Sequence, residues 1–264
     1  MCSSDLVVGP AIGGIVIEVV GLVPCFLLNA ASYAAVVVAL LAMDVSRLRP
    51  APRVPRAKGQ TRAGLRYVWS EPRLRTPLLM MAVIGTLGLN SQVVIPLIAT
   101  GVFGLGAGGF GGLTSALGTG AVVGGLAAAS RRGISYRRLV GLAAAMGGSI
   151  LVAAIAPTLG TETLALFLVG VCSFAFVATA NATLQLTSRP DMRGRVMALY
   201  AIAFLGTTPI GAPLVGWVCA AFGPRAGFVV GGAGTLLAAL WAGLLLARMG
   251  PVEAAETPAH LAAA

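Results

Sequence analysis

Apolar residues run along this chain in long blocks, interrupted by short polar or arginine-bearing segments. The blocks fall at about 7–22, 25–43, 76–100, 107–130, 139–157, 163–187, 196–222 and 226–248. Each is close to the ~20 residues that a helix needs to cross the hydrocarbon of a bilayer. Lipid cannot hydrogen-bond an exposed backbone amide, so the expected spans are helices. The pattern therefore predicts an all-α polytopic membrane protein with eight transmembrane helices. Between the second and third blocks lies a long polar interval, 44–75. Its Pro50, Pro52 and Pro55 forbid a long helix. Further on, Leu65, Val68 and Trp69 share one helical face and Arg62 and Arg66 another, which predicts a helix lying along the membrane surface. The Ala-rich tail after Gly250 carries the single His260 and is expected to be disordered.

Composition sharpens the class. Hydrophobic residues make up 58% of the chain and charged ones 10%, and the mean hydropathy is +0.94; a soluble domain carries roughly 25% charged residues. The net charge of +10 would suit a nucleic-acid binder, but its placement argues against one. Nine of the eighteen Lys and Arg lie in 44–75, four in Arg131–Arg138, three in Arg189–Arg195 and one at Arg248, leaving only Arg225 elsewhere. With 44–75 cytoplasmic, counting turns puts seventeen of the eighteen on one side, a positive-inside pattern with attraction to anionic lipid. The C-terminus is then cytoplasmic. The preference for Arg over the lone Lys58, with abundant Ala, Gly and Val, suggests a GC-rich bacterial genome and hence a bacterial plasma membrane.

Candidate chemistry is sparse. Cys25, Cys172 and Cys219 sit in apolar runs without metal-ligand spacing and read, like Cys2, as neither a disulfide nor a site. There is no metal cluster, paired carboxylate, Ser-His-Asp set or phosphate-binding loop. The expectation is a protein that is not an enzyme, with no metal and no cofactor. At the N-terminus, Cys2-Ser3-Ser4-Asp5-Leu6 is what one frame of a common short-read sequencing adapter encodes. Residues 1–6 are expected to be an artefact, with coding sequence continuing upstream; no signal peptide is visible.

An internal repeat links the first and seventh spans. Pro10, Gly13, Gly21 and Phe26 are separated by 3, 8 and 5 positions, and Pro213, Gly216, Gly223 and Phe228 by 3, 7 and 5. A repeat six helices apart is a transporter architecture.

Three segments then carry a family resemblance. Gly9-Pro10-Ala11-Ile12-Gly13-Gly14 resembles the glycine-proline motif in the fifth helix of major facilitator superfamily transporters. Gly64-Leu65-Arg66-Tyr67-Val68-Trp69, followed by Pro72, is similar to the re-entry into the second half in the branch that holds drug, macrolide and enterobactin exporters. Arg193-Gly194-Arg195-Val196-Met197-Ala198-Leu199-Tyr200 resembles the loop before helix eleven of that branch. The resemblance covers residues 7 to 248 and implies twelve helices, of which this chain holds the last eight. Residues 1–43 would be helices five and six, 44–75 the basic cytoplasmic linker with its surface helix, 76–248 the six-helix C-terminal half and 249–264 a cytoplasmic tail. A degenerate second-half echo of the family's basic loop falls at Gly125 to Leu139, without its Asp.

Polar groups inside a membrane are expensive and often functional. By the resemblance, the third, fourth, sixth and seventh spans line a central cavity, which makes Asn90, Gln92, Thr119, Asn181, Gln185 and Thr207 candidate substrate contacts; interhelical hydrogen bonding is the competing role. Asn181 and Gln185 are four apart and share a helical face. Gly9, Pro10, Gly13 and Gly14 would let the first span bend and pack closely. Glu18 reads as the single carboxylate in an apolar span, a possible proton site, or a group reaching the headgroups one turn before Gly21. Asp191, Arg193 and Arg195 are candidates for a cytoplasmic gate or for plain anchors. The implied function is alternating-access efflux of a small hydrophobic molecule such as a drug, macrolide or siderophore in exchange for protons. Partners are then the substrate, protons and the bilayer, with no nucleic acid and no required oligomer. A metabolite importer and a non-transporting scaffold are the alternatives. With helices one to four absent, the segment alone is not expected to transport.

Overall fold

The lipid-imposed need to satisfy every backbone amide within its own segment is met by helices alone. A computed structural model describes residues 22–43, 60–130 and 135–248. Among these residues there are ten α-helices: α1 Leu22–Leu41, α2 Gln60–Ser70, α3 Pro72–Leu87, α4 Ser91–Gly101, α5 Ala107–Ala129, α6 Tyr136–Ile155, α7 Leu159–Thr187, α8 Arg193–Leu205, α9 Thr208–Phe222 and α10 Pro224–Arg248. Six helical stretches are long and apolar enough to cross a membrane: Pro72–Gly101, Ala107–Ala129, Tyr136–Ile155, Leu159–Thr187, Arg193–Phe222 and Pro224–Leu245. They coincide with the last six expected blocks. The expected second span corresponds to α1, whose described side chains are all exposed. The expected first span, with Gly9, Pro10, Gly13, Gly14 and Glu18, lies outside the described residues except for Leu22, as does the tail after Arg248.

α5, α6, α7 and α10 form one packed layer in which α7 is flanked by α5 and α6, and α6 by α10. Without water between helices, association in lipid relies on close packing, and small residues supply it here. A Cβ on Gly120 would strike the carbonyl of Phe167, one on Gly124 that of Val171, and one on Gly170 that of Leu117. The α5 and α7 backbones thus touch over more than one turn. α3 crosses α7, α8, α9 and α10 and contributes Leu74, Met80, Met81 and Ile84 to a core completed by Ile98, Leu139, Met146, Leu166 and Phe176. The outward faces carry Val152, Leu164, Trp217 and Leu237, all exposed, as suits contact with lipid chains.

The arginine-bearing segments gather at one end. Tyr136, opening α6, donates its hydroxyl to the carbonyl of Arg73 (2.9 Å), and the amide of Arg189 donates to the hydroxyl of Tyr67 on α2 (3.2 Å). At the opposite end, Gly223 closes the turn between α9 and α10 with φ +90°, a conformation that favours glycine. Pro213 lies inside α9, Gly223 closes the turn and Phe228 is buried; of the first copy, Phe26 falls in α1 and Pro10, Gly13 and Gly21 lie outside the described residues.

A helix, α2, forms where the surface helix is expected, and one face of it meets the protein. Gly64 and Val68, one turn apart, are buried, whereas Leu65 and Trp69 are exposed. Gly64 lets α2 sit on α8: a Cβ there would come within 3.0 Å of the Arg195 Cβ. The face that meets the protein is therefore Gly64–Val68, and the Leu65–Trp69 face is left for the surroundings.

Candidate functional site

Two of the six spans are broken near their middles, and the breaks meet. In the first, α3 ends after 16 residues. The amides of Gly88 and Leu89 both reach back to the Ile84 carbonyl (2.7 and 3.0 Å), and Asn90 stands at the N-cap of the 11-residue α4. Asn90 makes no side-chain cap. It turns back instead, its Nδ2 donating to the carbonyl of Thr86 (2.6 Å). In the second, α8 ends after 13 residues at Gly206, and Thr207 stands, without a side-chain cap, before a 15-residue α9 that has Pro209 in its first turn. Proline is tolerated there because that amide has no helical partner in any case.

Close approach brings the breaks together. A Cβ on Gly211 would overlap the Thr86 carbonyl and lie 3.0 Å from Asn90 Nδ2, and one on Gly85 would lie 2.8 Å from Thr207 Oγ1. α10 closes a third side: a Cβ on Gly231 would lie 2.8 Å from the Leu87 carbonyl, and one on Gly88 would overlap the hydroxyl of Thr235. Asn90, Thr86, Thr207 and Thr235 thus converge on one region. Each of the three hydroxyls donates to a carbonyl one turn back: Thr86 to Ala82 (2.7 Å), Thr207 to Ala203 (3.0 Å) and Thr235 to Gly231 (2.7 Å). A hydroxyl that has spent its proton in this way offers a visitor only acceptor lone pairs. The cluster carries no charge, and Asn90 and Thr235 within it are buried.

The other expected contacts lie apart from it. Asn181 accepts from Gln185 Nε2 on the next turn of α7 (2.5 Å) and also interacts with the Tyr200 hydroxyl of α8. Gln92, Gln185 and Thr119 are exposed, and the Thr119 hydroxyl bonds back to Ser115 (2.8 Å). The gate candidates are also separate. The Asp191 carboxylate is held by Arg189, Nε at 3.2 Å and Nη2 at 3.3 Å. Arg193 is exposed, and Arg195 lies under Gly64 with Nη1 on Met192 Sδ (3.0 Å). Arg195 thus seats the linker helix, and exposed ion pairs such as Arg189–Asp191 contribute little, about 0–1 kcal/mol.

Sequence reasoning passed over three residues. Thr86 and Thr235 belong to the cluster; their signal was position, one turn before an Asn-Ser interruption and directly after a Gly-Gly-Ala-Gly run. The third is Glu162. α7 begins at Leu159, not near 163, because Thr158 caps it through a reciprocal pair with Thr161. This brings Glu162 into the first turn of a span, fully buried. Glu18 is therefore not the single carboxylate of the apolar spans.

An all-helical bundle of membrane-length helices, with two spans broken where polar side chains meet, is the build of a multi-pass membrane transporter. The family model for transmembrane secretion effectors, of major facilitator type, matches residues 5–262, and the chain belongs to that family. No curated protein matches the sequence.

Proposed function

We propose that this chain belongs to a secondary transporter that exports small, largely hydrophobic molecules, such as drugs, macrolides or siderophores, by alternating access and in exchange for protons. The observation that carries the reading is the meeting of the α3–α4 and α8–α9 breaks around Asn90 and Thr207. Transporters place substrate at the bilayer midplane between discontinuous helices. The midpoints of the two broken spans, Pro72–Gly101 and Arg193–Phe222, fall within a few residues of these breaks. The cluster's neutral, acceptor-rich character fits an uncharged or singly donating drug-like molecule better than an anion or a sugar acid. In this reading the arginine-rich end is cytoplasmic in a bacterial plasma membrane. Arg193 and Asp191 stand at its rim.

The test is accumulation of a fluorescent cationic or neutral dye in bacterial cells depleted of their own exporters. They express the full reading frame, including any coding sequence upstream of Val7. Accumulation falls on expression and recovers when a protonophore collapses the gradient. A rise in accumulation on expression would replace export with import. Flux that never responds to expression would leave a membrane scaffold as the reading.

A further inference from the structure

Among the described residues, the end opposite the arginine clusters holds one acid and one base. Glu162 is fully buried, and neither carboxylate oxygen has a hydrogen-bond partner among the described residues. Arg225, in the first turn of α10, is the charged group that acts on it, but its hydrogen bonds go elsewhere. Nη1 donates to the Ala154 carbonyl (3.1 Å) and Nη2 to the Ala156 carbonyl (2.7 Å). Those carbonyls terminate α6, where the last helical acceptors lack partners of their own and a cation is favoured. Arg225 is thus fixed on α6 beside a carboxylate that it does not bond.

An ionised carboxylate buried without hydrogen bonds or a close partner costs several kcal/mol. Two routes relieve the cost: the group takes a proton, or the base moves onto it. Among the described residues the surroundings offer no third. α7 packs between α5 and α6, Arg225 brings the start of α10 to Glu162, and Gly101 at the end of α4 lies against Pro224, just after α9. In the corresponding stretches of sequence, 99–108, 148–166 and 215–228, the other titratable side chains are Arg225 and Cys219 alone. Cys219 Sγ lies against the Pro224 carbonyl (3.7 Å).

We infer that Glu162 is a proton-binding site whose two states are exchanged by Arg225. In the conformation described here Glu162 carries the proton and Arg225 holds the end of α6. When α10 shifts relative to α6, Arg225 releases the Ala154 and Ala156 carbonyls and pairs with Glu162, and the proton leaves to solvent. One proton binds and one is released per cycle, with no other bond made or broken. A charge-neutral, capped arrangement thus alternates with an ion-paired, uncapped one. The link to export rests on the proton-coupled reading above; the protonation itself does not.

Two measurements on the full-length protein in proteoliposomes separate these claims. Infrared difference spectra between acid and alkaline buffer should show the carbonyl stretch of a protonated carboxylic acid in apolar surroundings, shifted in heavy water and absent from Glu162→Gln. Dye flux driven by a proton gradient should be lost in Glu162→Gln, while gradient-independent exchange of dye is retained because Gln mimics the protonated form. Arg225→Gln should keep the infrared band but trap the protein with Glu162 protonated at alkaline pH. A band that survives Glu162→Gln, or is absent from the unsubstituted protein, overturns the inference. Gradient-driven flux that survives the same substitution overturns its coupling role. A protein that shows the Glu162 band but no gradient-driven flux keeps the proton site and refutes proton-coupled export.

Discussion

Gly211 on α9 sits against the carbonyl of Thr86 on α3 so closely that a methyl group on it would overlap that oxygen. The contact fixes the distance between the two broken spans. Gly211→Ala forces the helices apart or out of register, a cost of about 1–3 kcal/mol by the usual penalty for overpacking. The melting temperature in detergent falls and transport falls with it. Gly216→Ala, one turn or so away with only Val93 at 3.9 Å, leaves both near their starting values.

The α5–α7 contact is open to a matched pair of substitutions on a single helix. Gly124→Ala meets the backbone of Val171, whereas Gly125→Ala, its neighbour, meets open space. The first destabilises by about 1–3 kcal/mol. The second stabilises by roughly 0.5–1 kcal/mol, because alanine replaces glycine inside a helix without strain. Thermal unfolding of the two variants, measured side by side, gives shifts of opposite sign.

Substrate contact is separable from packing at Asn90. Asn90→Leu keeps the branched outline of the side chain and removes the amide that reaches Thr86. A hydrogen bond of about 1 kcal/mol lost to substrate raises the half-saturating concentration roughly fivefold. Gln92→Leu, two residues on and exposed, leaves it unchanged. Dose-dependent dye efflux from cells, with protein levels matched, measures both; equal effects would remove Asn90 from the site.

Tyr67 tests how the linker helix is attached. Tyr67→Phe deletes the acceptor of the Arg189 amide, a loss of about 1 kcal/mol. Local opening of α2 becomes about fivefold more frequent by the same arithmetic. Hydrogen exchange over residues 60–70 reads this directly, and exchange in α6 and α7 stays as it was.

Long apolar blocks and arginine placement made the helical, membrane-spanning class and the six spans legible, because both follow from the solvent alone. What lies within a span is less visible. The Gly88–Leu89–Asn90 and Gly206–Thr207–Thr208–Pro209 interruptions are in plain sight, yet hydropathy averages over them, and only the folded chain shows that they face each other. Thr207 and Asn90 were legible as polar groups in greasy surroundings, whereas Thr86 and Thr235 looked like ordinary helix residues that bond their own backbone. Glu162 was hidden by a boundary. Assigned to a turn it is a solvated acid, and only the Thr158–Thr161 cap, extending α7 by one turn, buries it. α2 was legible as a helix with Leu65, Val68 and Trp69 on one face, but its seat on α8 was not, because the close approach that Gly64 allows leaves no trace in hydropathy.

The length of α7 has a consequence for the membrane itself. Its 29 residues rise about 43 Å at ~1.5 Å each, against a hydrocarbon thickness of ~30 Å. The excess is absorbed by tilt or by overhang, each costing fractions of a kcal/mol per Å. Because α5 is locked to α7 along the glycine contact, any tilt carries both helices together. Lipid chain length then acts on the tilt of that pair, so the acyl composition of the host membrane sets the angle at which half of the packed layer stands.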